Sequence, residues 1–325
     1  MDRHMKPLLS AALSVGLGVA ALGTLTIGIA TPAFAVDQAC EEVTFSDVGW
    51  TDITATTAAT TEVLKALGYE TDIKVLSVPV TYASMANGDI DVFLGNWMPT
   101  MEGDIAKYRD EGSVEVVGAN LEGAKYTLAV PKYTYEAGLK SFADIAKFRV
   151  GLDDTIYGIE PGNDGNRLII DMVDKDAFGL KGFKVVESSE QGMLAQVARA
   201  VQRKEPVVFL GWAPHPMNSN FELEYLSGGD DYFGPNYGGA TVYTNVRKGL
   251  EQECPNLGQF LRNLKFTLPM ENEIMGAILN DGEEADDAAE AWLKKNPGVF
   301  DAWLAGVTTR DGQPGLPAVK ASLDD

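Results

Sequence analysis

Residues 92–99 read Val-Phe-Leu-Gly-Asn-Trp-Met-Pro, and residues 208–214 read Val-Phe-Leu-Gly-Trp-Ala-Pro. In each, a short apolar run of strand length meets a glycine, then a tryptophan, then a proline. Buried strands are therefore expected at 92–94 and 207–210, each handing a large ring to the loop at its carboxyl end. Outward from the first copy, 42–48 and 73–78 read as strands. The stretch 53–67 carries Val63, Leu64 and Leu67 at helical spacing and stops at Gly68, where a helix C′ residue belongs. Shorter helices fit 82–86 and 101–109. Strands and helices in βαβα order imply a largely parallel sheet covered by helices.

Around the second copy, strands are expected at 126–130, 148–152 and 183–186, with helices at 167–176 and 190–203. Ser188 and Gln191 stand at capping-box spacing before the latter helix. A strand at 240–246 returns the chain to the first block, and the tail reads as helices at 257–264, 271–279, 284–294 and 299–304. The expected fold class is α/β in two lobes. Residues 36–124 plus 241–325 form a discontinuous lobe I, and 125–240 form lobe II. Ligands of open α/β sheets lie beyond the strands' carboxyl ends, so the site is expected in a cleft between the lobes.

The chain of 325 residues carries 26 Lys and Arg against 47 Asp and Glu, a formal charge of −21. So acidic a protein is a poor partner for nucleic acid or an anionic membrane. Two cysteines and two histidines leave little for a zinc site, and His4 lies in an amino-terminal segment expected to be removed, so only His215 would remain and no metal is expected. Residues 1–35 have a basic start, an apolar run and an Ala33-Phe34-Ala35 ending, the parts of a secretory signal peptide cut after Ala35. A retained membrane anchor is the competing reading, opposed by the Ala, Gly, Ser and Thr that dilute the run. Export would place the protein in the periplasm. Cys40 lies beyond the expected cut rather than at it, so lipidation is not expected. In an oxidising compartment Cys40 and Cys254 would most simply form one disulfide, tying both ends of the chain into one domain.

Trp97 and Trp212 close the two repeated phrases, and Trp50 follows Gly49 just past the strand at 42–48. Three of the five tryptophans thus fall where a cleft would lie, whereas Trp292 and Trp303 read as core residues of the helical tail. Several indole faces around one pocket suit a quaternary ammonium, which offers no N–H donor and is weakly hydrated; each desolvated contact contributes about 0.5–2 kcal/mol. A stacked sugar or flat aromatic ligand is the other use of such rings. Asp52 favours the cation, since a carboxylate attracts it and can accept from a hydroxyl. Taken alone, Asp52 reads almost as well as an N-cap for the helix beginning near Ile53.

The segments Gly49-Trp50-Thr51-Asp52, Gly95-Asn96-Trp97-Met98-Pro99, Pro161-Gly162-Asn163-Asp164-Gly165 and Gly211-Trp212-Ala213-Pro214-His215 resemble the substrate-binding proteins of quaternary-amine ABC importers, the choline-binding kind in particular. The likeness spans essentially the whole chain after residue 35. It implies a two-lobed periplasmic substrate-binding fold of type II that delivers its ligand to a membrane permease and performs no chemistry. It also implies an aromatic box of Trp50, Trp97, Tyr126 and Trp212, with Asp52 and Asn163 bonding a choline hydroxyl, a Cys40–Cys254 disulfide, and no cofactor. Tyr126 would not stand out otherwise, and Asn163 reads equally well as a turn residue ahead of a helix. The expected partners are choline, with acetylcholine or glycine betaine bound more weakly, and the permease; a monomer is expected. Glycine betaine is the nearest alternative ligand, which Asp52 disfavours. A secreted hydrolase using His215 as base is the distant alternative, and no Gly-x-Ser-x-Gly elbow supports it.

Overall fold

A nine-stranded mixed sheet organises the molecule. It is seen in a computed structural model that describes residues 40–324, so the signal peptide expected at 1–35 lies outside the described residues. One end is built of strands β1 (Glu42–Asp47), β2 (Glu70–Val75) and β3 (Val92–Met98) with helices α1 (Thr51–Ala66), α2 (Val78–Asn87) and α3 (Glu102–Asp110). Here β1 runs parallel to both β2 and β3. The long β4 (Val114–Pro131) follows, then short helices α4 (Lys132–Glu136) and α5 (Phe142–Ile145). The other end contains β5 (Thr155–Tyr157), helix α6 (Asp164–Asp174), β6 (Lys184–Val186), helix α7 (Glu190–Arg203) and β7 (Phe209–Ala213). Again β5 is parallel to its neighbours β6 and β7. After α8 (Met217–Asn220) and β8 (Leu223–Tyr225), β9 (Gly239–Arg247) completes the order β2-β1-β3-β9-β4-β7-β5-β6, with β8 paired to β4.

Two parallel ends therefore meet at an antiparallel centre, the β4–β9 pair. Both strands belong to both ends, because β9 also pairs β3 and β4 also pairs β7. The β4–β9 register slips at three places between Val116 and Ala124, and each irregularity bends the ladder locally. The core lies under both ends: β3 is buried along Val92–Trp97, and the rings of Phe45, Phe93, Phe209 and Phe233 are fully enclosed.

Helix α1 is buried on nearly every side, packed against the tail helices Leu268–Gly276 and Ala285–Lys295. Its sequence is unusual for such a place, being rich in threonine. Several hydroxyls bond back along the helix, Thr56 to Asp52 O at 3.0 Å and Thr60 to Thr56 O at 2.7 Å, while Thr54 bonds to Asp47 at 2.6 Å. The helix ends as expected at Gly68, whose φ of +90° a side chain would resist. Cys40 and Cys254 form the disulfide, which joins the start of β1 to the entrance of the helix Pro255–Asn263.

Four local expectations need correction. No strand occupies 148–152; Leu152 N–H bonds back to Phe148 O at 3.0 Å, and Asp153 and Asp154 turn through positive φ before β5 begins. The apolar residues there do not share a strand face: Leu152 is buried, whereas Val150 is 96% exposed. The strand placed at 126–130 is only the last third of β4, whose Gly118 and Gly123 disguise its length. Helix α7 is capped by Ser189, which accepts from Gly192 N–H at 3.1 Å, not by Ser188. Strands β3 and β7 run on through Trp97 and Trp212, so these rings stand on strands rather than on loops beyond them. The helix Gly315–Asp324 was not anticipated. Among the described residues, no helix is long and apolar enough to cross a membrane.

Candidate functional site

At the end of β1, Asp47 turns the chain by accepting from Gly49 N–H at 2.7 Å, and Gly49 takes a φ of +79°. That turn makes Trp50 the N-cap residue of α1 and sets Asp52 inside its first turn. Asp52 is thus not the cap that its sequence position suggested. Tyr126 and Trp212 are direct cross-strand partners on β4 and β7, so their side chains rise on one face. Trp97, on β3, meets Tyr126 edge-on with ring centres 6.0 Å apart, and Tyr126 meets Trp212 at 6.3 Å. Trp50, Asp52, Trp97, Tyr126 and Trp212, joined by Ile159, line one small cavity.

Asn163 is the one predicted residue that does not line it. As N-cap of α6 its Oδ1 accepts from Asn166 N–H at 3.1 Å, and it also accepts from the Tyr126 hydroxyl at 2.9 Å. Its Nδ2 donates to Asp164 Oδ1 at 3.1 Å. Asn163 therefore stands behind Tyr126 and fixes the tilt of that ring. Three residues of the surroundings went unnoticed in the sequence: Ile159, Glu160 and Glu190. Glu160 accepts from Trp50 Nε1 at 2.9 Å, which holds that indole in place. An acid on a loop before a helix carries no signal that a distant indole needs an acceptor.

The electrostatics favour a cation. Asp52 accepts from Trp97 Nε1 at 3.1 Å through Oδ2, while its buried Oδ1 has no partner among the described residues. Burial foremost, then the negative charge of Glu190 and Asp47, pushes the Asp52 carboxyl up to about 8. Burial likewise lifts Glu160 to about 7 and Asp164 to about 6. Glu271, buried on the tail helix and repelled by Asp52, is pushed well above the usual carboxylate range. A permanent positive charge between these groups would reverse the balance, since it favours their ionised forms and needs no donor from the walls.

His215 is not presented to the cavity. Its Nδ1 accepts from Met217 N–H at 2.9 Å and its Nε2 faces Glu190 at 3.2 Å, so both ring nitrogens are committed. Among the described residues no group of three or more His, Cys, Asp or Glu side chains is placed to hold a metal ion.

Residues 41–295 match the family described as the substrate-binding domain of the ABC-type glycine betaine transport system. Among solved structures, an ABC-transporter choline-binding protein in complex with choline is 69% identical and superposes with a TM-score of 0.87, over 88% of this chain and 99% of that one. A choline-binding protein in an unliganded semi-closed conformation, also 69% identical over the same shares, superposes at 0.81. Lactococcal OpuAC, closed on glycine betaine, is 28% identical with a TM-score of 0.73, over 81% of this chain and 99% of that one.

Proposed function

We propose a function from the premise that this chain belongs to the family of substrate-binding domains of ABC-type glycine betaine transport systems. Its fold is the two-lobed type II arrangement with a ligand cleft. The protein is an extracytoplasmic receptor that captures choline and delivers it to an ABC permease. The observation that carries this reading is one small cavity walled by four aromatic rings and a buried carboxylate with one oxygen unpartnered. Trp50, Trp97, Tyr126 and Trp212 hold the trimethylammonium by their faces, and Asp52 supplies the counter-charge and an acceptor for the hydroxyl. Asn163 acts through Tyr126. The chain does no chemistry on its ligand, and its family is one of receptors.

The finer organisation follows from the same reading. Lobe I comprises 36–124 plus 241–325 and lobe II comprises 125–240. Ala124 pairs with Ala240 and Lys125 with Gly239, so both crossings fall side by side on β4 and β9, as a hinge between lobes requires. The receptor works as a monomer in the periplasm, released by cleavage after Ala35.

Glycine betaine is the competing ligand, favoured by the family description and by the likeness to OpuAC. Its carboxylate would keep Asp52 in the protonated form, whereas choline gains the attraction of the ionised carboxylate, so choline is expected to bind more tightly. Tryptophan fluorescence titrated with choline, acetylcholine, glycine betaine and proline in parallel tests the order. Choline should bind in the micromolar range or tighter, about 8 kcal/mol. Millimolar choline beside micromolar betaine would overturn the assignment.

A further inference from the structure

Glu190 is a buried acid that the cavity itself does not use. It is the first residue of α7 and 1% exposed. Its Oε2 accepts from Thr51 N–H at 2.8 Å, and its Oε1 accepts from the Thr51 hydroxyl at 2.6 Å. Thr51 is the first residue of α1, where backbone donors lack intrahelical partners, and the N-cap residue Trp50 offers none from its side chain. A carboxylate from a helix 139 positions away therefore caps α1. Thr51 is also the residue between Trp50 and Asp52, so whatever fixes it fixes both.

The other side of Glu190 reaches the second tryptophan phrase. Because His215 Nδ1 accepts from Met217 N–H, Nε2 carries the ring proton and donates to Glu190 Oε1 at 3.2 Å. The His215 ring packs edge-on against Trp212 with centres 4.7 Å apart. One carboxylate thus receives three donors, two from the Trp50–Asp52 turn and one from the residue that supports Trp212. These two walls of the cavity lie in different lobes on the reading given above.

We propose that Glu190 is a positioning residue for ligand retention: it touches no ligand but clamps the Trp50–Asp52 turn to the Trp212–His215 loop across the closed cavity. The proposal rests on the choline-receptor reading. A glutamine would keep the shape but fail chemically. Its amide nitrogen would have to face either the Thr51 N–H or the His215 Nε2–H, and both are donors. An unpaired buried donor costs enough to open the clamp.

The test is stopped-flow fluorescence on the full chain with choline. Encounter precedes clamping, so Glu190→Gln should raise the dissociation rate about ten- to hundredfold and change the association rate by less than about threefold. Thr51→Val, which removes one donor from the opposite side, should raise dissociation about tenfold. Thr51→Ser should restore it. The double variant should be no worse than Glu190→Gln, since both break one network. Circular dichroism and the melting temperature check that each variant is folded, and Thr51→Val serves if Glu190→Gln is not. Parental dissociation rates in folded variants, or two effects that simply add, overturn the clamp while leaving the receptor reading intact. A parent that binds no quaternary amine overturns the receptor reading and this one with it.

Discussion

The two Gly–Trp phrases that look alike in sequence do different work. Both form the ends of buried strands, and both stop at a cis X-Pro bond, Met98–Pro99 and Ala213–Pro214. Yet Trp97 spends its indole N–H on Asp52, whereas the Trp212 Nε1 is buried with no partner among the described residues. The first ring is part of a charged pair; the second is an aromatic wall supported from behind by His215. A repeated phrase thus reports a repeated backbone position, and the neighbouring elements decide what the ring is for.

The largest expected effect breaks the charged half of the comparison. Asp52→Asn keeps the shape and an acceptor but removes the charge beside the cation, so choline affinity should fall about ten- to hundredfold. Glycine betaine should lose less, because its carboxylate opposes ionisation of Asp52 and it therefore draws less on that charge, and the preference should narrow or reverse. Competition titration reads both. The same variant should stabilise the ligand-free protein near neutral pH. Asp52 titrates near 8 when folded against 3.8 ordinarily, so the folded state binds more protons over that interval, and its stability falls as pH rises through it. Thermal melts from pH 4 to 8 should be flatter in Asp52→Asn than in the parent.

Choline binding in the parent has the opposite pH sense. The cation favours the ionised carboxylate, so binding expels a proton below about pH 8 and affinity should rise toward that pH. Calorimetry at pH 7 in buffers of differing ionisation enthalpy should register proton release. Equal heats in all buffers would show that Asp52 is already ionised.

Next in size is the difference between the two glycines. A Cβ on Gly211 would sit 2.8 Å from the Ala129 Cβ, an atom fixed to the backbone, whereas on Gly95 it would meet atoms further out on rotatable side chains, Ile53 Cγ1 and Cδ1 at 2.8 Å and the Phe93 ring at 2.9 Å. Gly211→Ala should therefore destabilise by about 1–3 kcal/mol and Gly95→Ala by less, measured by urea unfolding. The smallest contrast concerns the two rings. Trp97→Phe leaves Asp52 Oδ2 without its donor and should cost about tenfold in choline affinity. Trp212→Phe loses only part of a π face, about threefold. Equal losses would mean that the indole N–H of Trp97 is incidental.

Much of the frame was legible because it rests on local periodicity. Helix α7 spans the residues its pattern indicated, and the carboxyl end of α1 follows from apolar spacing and Gly68. The misreadings fall where local pattern is uninformative: a turn at 148–152 whose apolar residues are split between core and solvent, and a long strand interrupted by glycines. Five of the six site residues proposed from sequence meet at one cavity, found through their strand-end positions and a family resemblance. Asn163 is drawn one layer back because its amide is taken up by the α6 cap and the Tyr126 hydroxyl.

By itself the sequence determined the alternation of strands and helices, the acidic balance, the cysteine pair and the placing of tryptophans at strand ends. These depend on residue type, spacing and composition, which the unfolded chain already carries. The folded arrangement alone decided that Glu190 caps a helix 139 positions away, that Trp50 finds Glu160, and that Asp52 keeps one oxygen unpaired in a closed apolar wall. Such contacts join distant segments, and their strength comes from burial, which exists only once the sheet has brought its two ends together.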